Sequence, residues 1–264
     1  MNKKIIILFV LAAAVAAGIA AFSLSRPRRA DTAADQLSSA AKQLEAQGNL
    51  PGAKDAYAKL IFDHPNLRTV GDWQKSIESI NIRLLFSPAI TAKSIEYEIM
   101  PGDSLDKIAR EHRTTVELLR RSNNLADDRI VPGKKIKVWN APFTIFVDKS
   151  QNTLLLKSDE EIVKTYTVAT GANNSTPVGT FRIVEKIVNP PWYKDNRVIP
   201  PSSPENILGT RWMGFDKKGY GIHGTRDPKS LGNQVTAGCV RLANPDVEEL
   251  FSIVPQGTEV TIVD

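Results

Sequence analysis

The pattern that most constrains this chain begins at Phe143. From there "FTIFVDKSQNTLLLKSDEEIVKTYTVATG" alternates apolar and polar residues, with short polar turns between the runs. A period of two puts the apolar side chains on one face of a pleated strand, so the stretch predicts antiparallel strands. "STPVGTFRIVEK" adds a turn and a further strand. Residues 190–205 then carry Pro190, Pro191, Pro200, Pro201 and Pro204 beside Trp192 and Tyr193. A strand cannot hold so many prolines, so this segment is expected to be a long ordered loop, and such loops in compact domains often serve as lids. A short helix is expected from Asn244, with Pro245 in its first turn and Asp246 and Glu248 near its positive end, stopping before Pro255. A last strand over 259–263 closes a mostly β domain spanning 142–264.

Two further units precede it. Residues 31–90 read as helices, with a break at Gly48 to Pro51 and a second helix ending at Pro65. Ala40, Ala41, Leu44, Gly48, Ala53, Ala56, Tyr57 and Pro65 resemble one tetratricopeptide-like hairpin. One such unit cannot bury its own face, so a helix from about Trp73 to Leu85 is expected to cover it. The segment is read as a helical spacer rather than a peptide-binding groove. Residues 95–140 form a separate strand–helix–helix–strand unit. It turns at Pro101-Gly102, enters a helix capped by Asp103 or Ser104, continues in a second helix from about Thr115 to Ser122, and turns at Pro132-Gly133 into a closing strand.

The N-terminus sets the compartment. Lys3 and Lys4 precede an uncharged apolar run over 5–22, followed by Arg26, Arg28 and Arg29. Such a run is long for the apolar core of a cleaved signal and just long enough to span a bilayer. Residues 1–25 are therefore read as a signal anchor in preference to a cleaved signal peptide, and basic residues at both ends leave the positive-inside rule undecided. Either way the remainder is expected outside the cytoplasm. No cysteine follows the run, which excludes lipid attachment there, and a single cysteine excludes an internal disulfide. The net charge of +5 is mild, and no block of like charge is long enough for a binding tail, so nucleic acid is not an expected partner.

That single cysteine, Cys239, and His223, one of only three histidines, fall in "GIHGTRDPKSLGNQVTAGCVRL". A thiol at its free pKa supplies little thiolate at neutral pH, and a nearby imidazole removes that deficit. Gly224 leaves room beside the histidine, and Gly238 lets the backbone near Cys239 turn toward a developing oxyanion. The group that orients the imidazole is expected to be a backbone carbonyl, such as that of Gly224, or the carboxylate of Asp227. The pair is expected to lower the pKa of Cys239. A metallopeptidase is improbable, because His64, His112 and His223 are scattered and no H-E-x-x-H occurs. No metal or cofactor is expected.

Two resemblances sharpen this reading. Tyr97, Gly102-Asp103-Ser104-Leu105, Ile108-Ala109, Leu119, Asn123, Pro132-Gly133 and Val138 resemble the LysM module, which implies binding to N-acetylglucosamine-containing glycans and hence peptidoglycan. His223-Gly224-Thr225, Thr236-Ala237-Gly238-Cys239-Val240-Arg241 and Thr176-Pro177-Val178-Gly179-Thr180-Phe181 resemble the signature of YkuD-type L,D-transpeptidases over about 142–264. Asn189-Pro190-Pro191-Trp192 and Asn206-Ile207-Leu208-Gly209 also sit where that family has related motifs. The resemblance implies a multidomain protein with a mostly β catalytic domain, a YkuD-like β-sandwich, plus the small βααβ LysM module and the N-terminal helical segment. It implies Cys239, His223 and Gly224 as catalytic residues, and Thr236, Gly238 and Arg241 as substrate contacts. The implied reaction attacks a peptidoglycan stem tetrapeptide through a thioester and forms 3→3 cross-links. Hydrolysis on the same fold, or glycan binding without catalysis, are the alternatives. Ala237 stands where the family usually has a second histidine, and Asn-Ile-Leu-Gly replaces its N-P-L-G. The expected location is periplasmic or extracytoplasmic, held on the cytoplasmic membrane by the N-terminal segment.

Overall fold

The computed structural model describes residues 28–264, so the expected membrane segment at 1–25 lies outside the described residues. Among the described residues no helix is long and apolar enough to cross a membrane. The chain divides into two compact units between Ile80 and Asn81.

The first unit is helical. Helices α1 (Arg28–Ala46) and α2 (Leu50–Asp63) are separated by Gly48 in a left-handed conformation (φ 79°). Asn49 caps α2, its side chain accepting from the Gly52 amide at 3.1 Å, with Pro51 in the first turn. Small Ala41 and Ala53 let the helices approach, and Tyr57 and Leu60 fill the space between. Helix α3 (Val70–Leu85) adds Trp73, whose indole N–H donates to Ser38 Oγ at 3.2 Å.

The second unit opens with the βααβ module. Strands β1 (Ser94–Glu98) and β2 (Lys135–Trp139) pair antiparallel, with α4 (Leu105–Glu111) and α5 (Val116–Ser122) between them in sequence. Ser104, not Asp103, caps α4, accepting from the Lys107 amide at 3.1 Å. Asp103 instead receives the Tyr97 hydroxyl and the Met100 amide, both at 2.8 Å, which closes the turn before the cap. Ile99, Leu105, Ile108, Leu119, Ile136 and Val138 form this module's own core. It is also fastened to the following domain. Arg121 donates to Ser252 Oγ at 3.0 Å, and Leu118 joins the larger core.

From Phe143 onward the chain builds an eight-stranded mixed sheet in the order β13-β11-β10-β7-β14-β3-β4-β5. Its members are β3 (Phe143–Asp148), β4 (Thr153–Ser158), β5 (Glu161–Thr167), β7 (Gly179–Val188), β10 (Arg211–Phe215), β11 (Gly221–His223), β13 (Val240–Arg241) and β14 (Glu259–Val263). Short β6 (Thr170–Gly171) pairs separately with β12 (Gln234–Thr236). Strand β7 serves two halves: residues 179–182 pair with β14, and 183–188 pair with β10 past a bulge at Gly214 and Phe215. One core joins them, with Ile145, Val147, Leu154 and Leu156 from one half meeting Met213, Ile222 and Val240 from the other. Helix α6 (Asn244–Ile253) contributes Val247, Leu250 and Ile253 to it. Not every neighbour is antiparallel as the alternation predicted: β14 runs parallel to β3, and β11 parallel to β13.

The Pro-rich segment differs from its sequence expectation. It holds a hairpin, β8 (Trp192–Lys194) and β9 (Arg197–Ile199). The prolines flank these strands rather than interrupt them, and Asp195 and Asn196 (φ 49° and 58°) make the tight turn. Buried Asn206 fixes the base of the segment. Its side-chain amide donates to the carbonyls of Pro190 (2.9 Å) and Ile199 (3.3 Å), and its Oδ1 accepts from the Leu208 amide (2.9 Å).

Candidate active site

Strands β11 and β13 bring the sequence-predicted site residues together. Their parallel register sets His223 beside Arg241, and Cys239 lies two residues before Arg241 at the end of the loop from β12. The backbone of Arg241 is held on both sides: Leu242 N donates to His223 O, and Ala169 and Arg241 exchange two hydrogen bonds, all at 2.9 Å.

The cysteine loop is wound around Thr236. This buried hydroxyl donates to the Cys239 carbonyl at 2.7 Å and accepts from the Gly238 amide at 3.1 Å. Both partners of the hydroxyl therefore lie within the loop. Gly238 has φ 132°, and a Cβ there would sit 2.8 Å from the Tyr220 ring. Only glycine fits this position. Cys239 is partly buried, and its thiol donates to the Gly219 carbonyl at 3.6 Å. At 237 the residue is exposed, so the family's usual histidine would have stood at the solvent edge of the loop.

His223 is 2% exposed, and its Nδ1 lies 2.6 Å from the Gly224 carbonyl. A carbonyl oxygen can only accept, so Nδ1 carries the proton and Nε2 of the neutral ring is left with its lone pair. Trp212, opposite His223 in the β10–β11 register, stacks on the imidazole with ring centroids 6.0 Å apart. Asp227, the alternative orienting group, acts electrostatically on Arg241 instead.

Burial pulls the His223 imidazole down to about 4, with the Arg241 charge adding to the effect and the Gly224 and Leu208 carbonyls opposing it. Burial also pushes the Cys239 thiol up, against the Gly221 amide and Arg241, which both favour the thiolate. The expected depression of the cysteine pKa is therefore absent from the resting site. Desolvation penalises either charged form more than the neighbours compensate, and the neutral thiol and neutral imidazole coexist at pH 7. Arg241 faces both groups, while its Nη1 donates to Ser230 Oγ at 3.2 Å and its buried Nε has no partner.

A cavity of about 600 Å³ lies beyond this centre, lined by Pro201, Gly209, Thr210, Thr225, Arg226 and Asn244 among others. Neither Cys239 nor His223 is among its lining residues. Tyr220, Ser230 and Asn244 had no site role in the sequence reading, which took Asn244 only as a helix start. Tyr220 adjoins the glycine-flanked histidine in "YGIHGT", a signal that was available.

Comparison with known proteins identifies the family. Residues 142–262 match the L,D-transpeptidase catalytic domain, YkuD, and residues 97–139 match the LysM domain. A Bacillus subtilis relative, YkuD, named as an L,D-transpeptidase, is 35% identical over 175 residues, which cover 64% of this chain and 98% of the relative. A second B. subtilis relative so named, YqjB, is 43% identical over 126 residues, 46% of this chain and 70% of its own length. Among solved structures, an L,D-transpeptidase from Mycobacterium smegmatis is 23% identical and covers 51% of this chain and 65% of that chain, with a TM-score of 0.40. The chain belongs to the L,D-transpeptidase family and carries a LysM domain ahead of its catalytic domain.

Proposed function

We propose that this protein is a cysteine-dependent L,D-transpeptidase acting on peptidoglycan stem tetrapeptides. The observation that carries the reading is the Nδ1–H bond from His223 to the Gly224 carbonyl, which leaves the Nε2 lone pair free on the strand that pairs with the residues directly after Cys239. On substrate binding the thiol leaves the Gly219 carbonyl and gives its proton to Nε2 as Sγ attacks the carbonyl of the third, L-centred residue. The carbonyl π electrons move onto oxygen. The Gly238 amide is already committed to Thr236, so the Cys239 amide is the loop donor assigned to that oxyanion. Collapse restores the carbonyl and breaks the amide bond. The terminal D-alanine leaves with the proton from Nε2, and a thioester remains on Cys239. An amine of a neighbouring stem then attacks the thioester, passes a proton to Nε2, and releases the thiolate, which recovers that proton. The product is a 3→3 cross-link.

Arg241 lowers the energy of the thiolate along this path and discourages a stable imidazolium, so the proton is passed on rather than retained. Thr236 and Gly238 shape the loop that presents the sulfur. The LysM domain is assigned to glycan, and residues 1–25 to holding the chain on the outer face of the cytoplasmic membrane. Incubation with disaccharide-tetrapeptide followed by mass spectrometry tests the reading. Dimers lacking one D-alanine are expected, and Cys239→Ala should yield none. Tripeptide monomer as the sole product would assign hydrolysis instead.

A further inference from the structure

Asn244 is the first residue of α6, yet its side chain does not cap that helix. Its Oδ1 accepts two amides from elsewhere, Thr210 N at 3.2 Å and Thr225 N at 3.1 Å. One belongs to the segment leaving the Pro-rich loop, and the other directly follows His223-Gly224. Both approaches are possible only because the residues before those amides are glycines. A Cβ at Gly209 or Gly224 would lie 2.3 Å or 2.2 Å from this same oxygen. The second of these segments carries the Gly224 carbonyl that holds the imidazole Nδ1–H. We infer that Asn244 is a positioning residue for the histidine: one amide oxygen ties the loop whose Gly224 carbonyl sets the tautomer and direction of His223 to the segment leaving the Pro-rich loop. This rests on His223 being the general base.

The Thr225 amide and the Gly224 carbonyl belong to one planar peptide unit, so anchoring the N–H fixes the direction of the C=O. Without the Asn244 oxygen the peptide plane can rotate, the Nδ1–H acceptor is lost, and the Nε2–H tautomer, which cannot take a proton from the thiol, gains population.

The test uses the full chain and three variants. Asn244→Ala removes the oxygen, Asn244→Gln moves it by one methylene, and Asn244→Asp retains an acceptor where the positive end of α6 tolerates a carboxylate. Turnover of disaccharide-tetrapeptide is measured together with histidine-ring 15N NMR, the His223 signals being assigned by their loss in His223→Ala. We expect kcat to fall about 10- to 100-fold in Asn244→Ala and Asn244→Gln, the scale of a misplaced general base. KM should stay within a few-fold, and the ring signals should move toward the Nε2–H form. Asn244→Asp should keep the wild-type tautomer and most of kcat. Wild-type kcat and tautomer in Asn244→Gln, or a loss in Asn244→Asp equal to that in Asn244→Gln, would overturn the inference. Full activity of His223→Ala in the same assay would overturn instead the reading on which it rests.

Discussion

Arg241 stands directly opposite His223 in the parallel pairing of β11 and β13, and its charge acts on an imidazole that is 2% exposed. The same charge reaches Cys239, lowering the pKa of both groups. Arg241→Gln should therefore move the pH midpoint for alkylation of Cys239 upward and slow alkylation at neutral pH. The expected change is read by intact mass after timed exposure to iodoacetamide. An unchanged or lower midpoint would contradict the assigned role of Arg241.

His223 also predicts the acid stability of the fold. Its folded pKa, about 4, lies below the ordinary 6.5. Between those values the unfolded chain binds a proton that the native chain does not, so stability falls as pH drops from 6.5 toward 4. A shift of this size corresponds to a few kcal/mol at most, on the order of 3. Urea midpoints at pH 7 and pH 4.5 check it, and the difference should shrink in His223→Gln.

Gly238→Ala should cripple the site. The backbone there is in a conformation costly for a side chain, and the added methyl meets the Tyr220 ring. A destabilisation of about 1–3 kcal/mol is expected, with at least a tenfold loss of turnover. Thermal unfolding and product assays on one preparation would show both.

Asn206→Ala should loosen the Pro-rich segment without unfolding the core. Three of its hydrogen bonds tie residues 190, 199 and 208 together. Hydrogen exchange across 190–208 should accelerate, while β3 and β4 remain protected.

Lys137 is buried inside the joint before the catalytic domain, donating to the carbonyls of Leu84 (2.6 Å) and Ser87 (2.9 Å). Desolvation pulls it down to about 8. Lys137→Met removes a donor from both carbonyls; the Leu84 carbonyl keeps the Ser87 hydroxyl and amide, so a cost of about 1–3 kcal/mol falls on the Ser87 carbonyl, partly offset by no longer burying a charge. Net destabilisation in urea, with turnover retained, is the expected result.

Much of this was legible in the sequence because it is local. Alternation from Phe143 gave strands, Ser104 and Pro245 marked helix starts, and the residues around His223 and Cys239 carried the family resemblance. What escaped depends on long-range contacts or on finer turn chemistry. Parallel pairing of β14 with β3 joins segments more than a hundred positions apart, and no periodicity encodes it. The β8–β9 hairpin was hidden by prolines that lie outside its strands. Burial of the thiol, which reverses the expected direction of its pKa shift, is a product of packing around the loop. Asn244 looks like an ordinary first residue of a helix until its two distant amide partners are seen.

The most direct measurement of the central claim is intact and peptide-level mass spectrometry of the full chain during turnover of disaccharide-tetrapeptide. An adduct equal to the substrate minus D-alanine is expected, confined to the peptide containing Cys239, labile to hydroxylamine, absent in Cys239→Ala and strongly reduced in His223→Ala. Product formation by Cys239→Ala at the wild-type rate, or an adduct on any other residue, would contradict it.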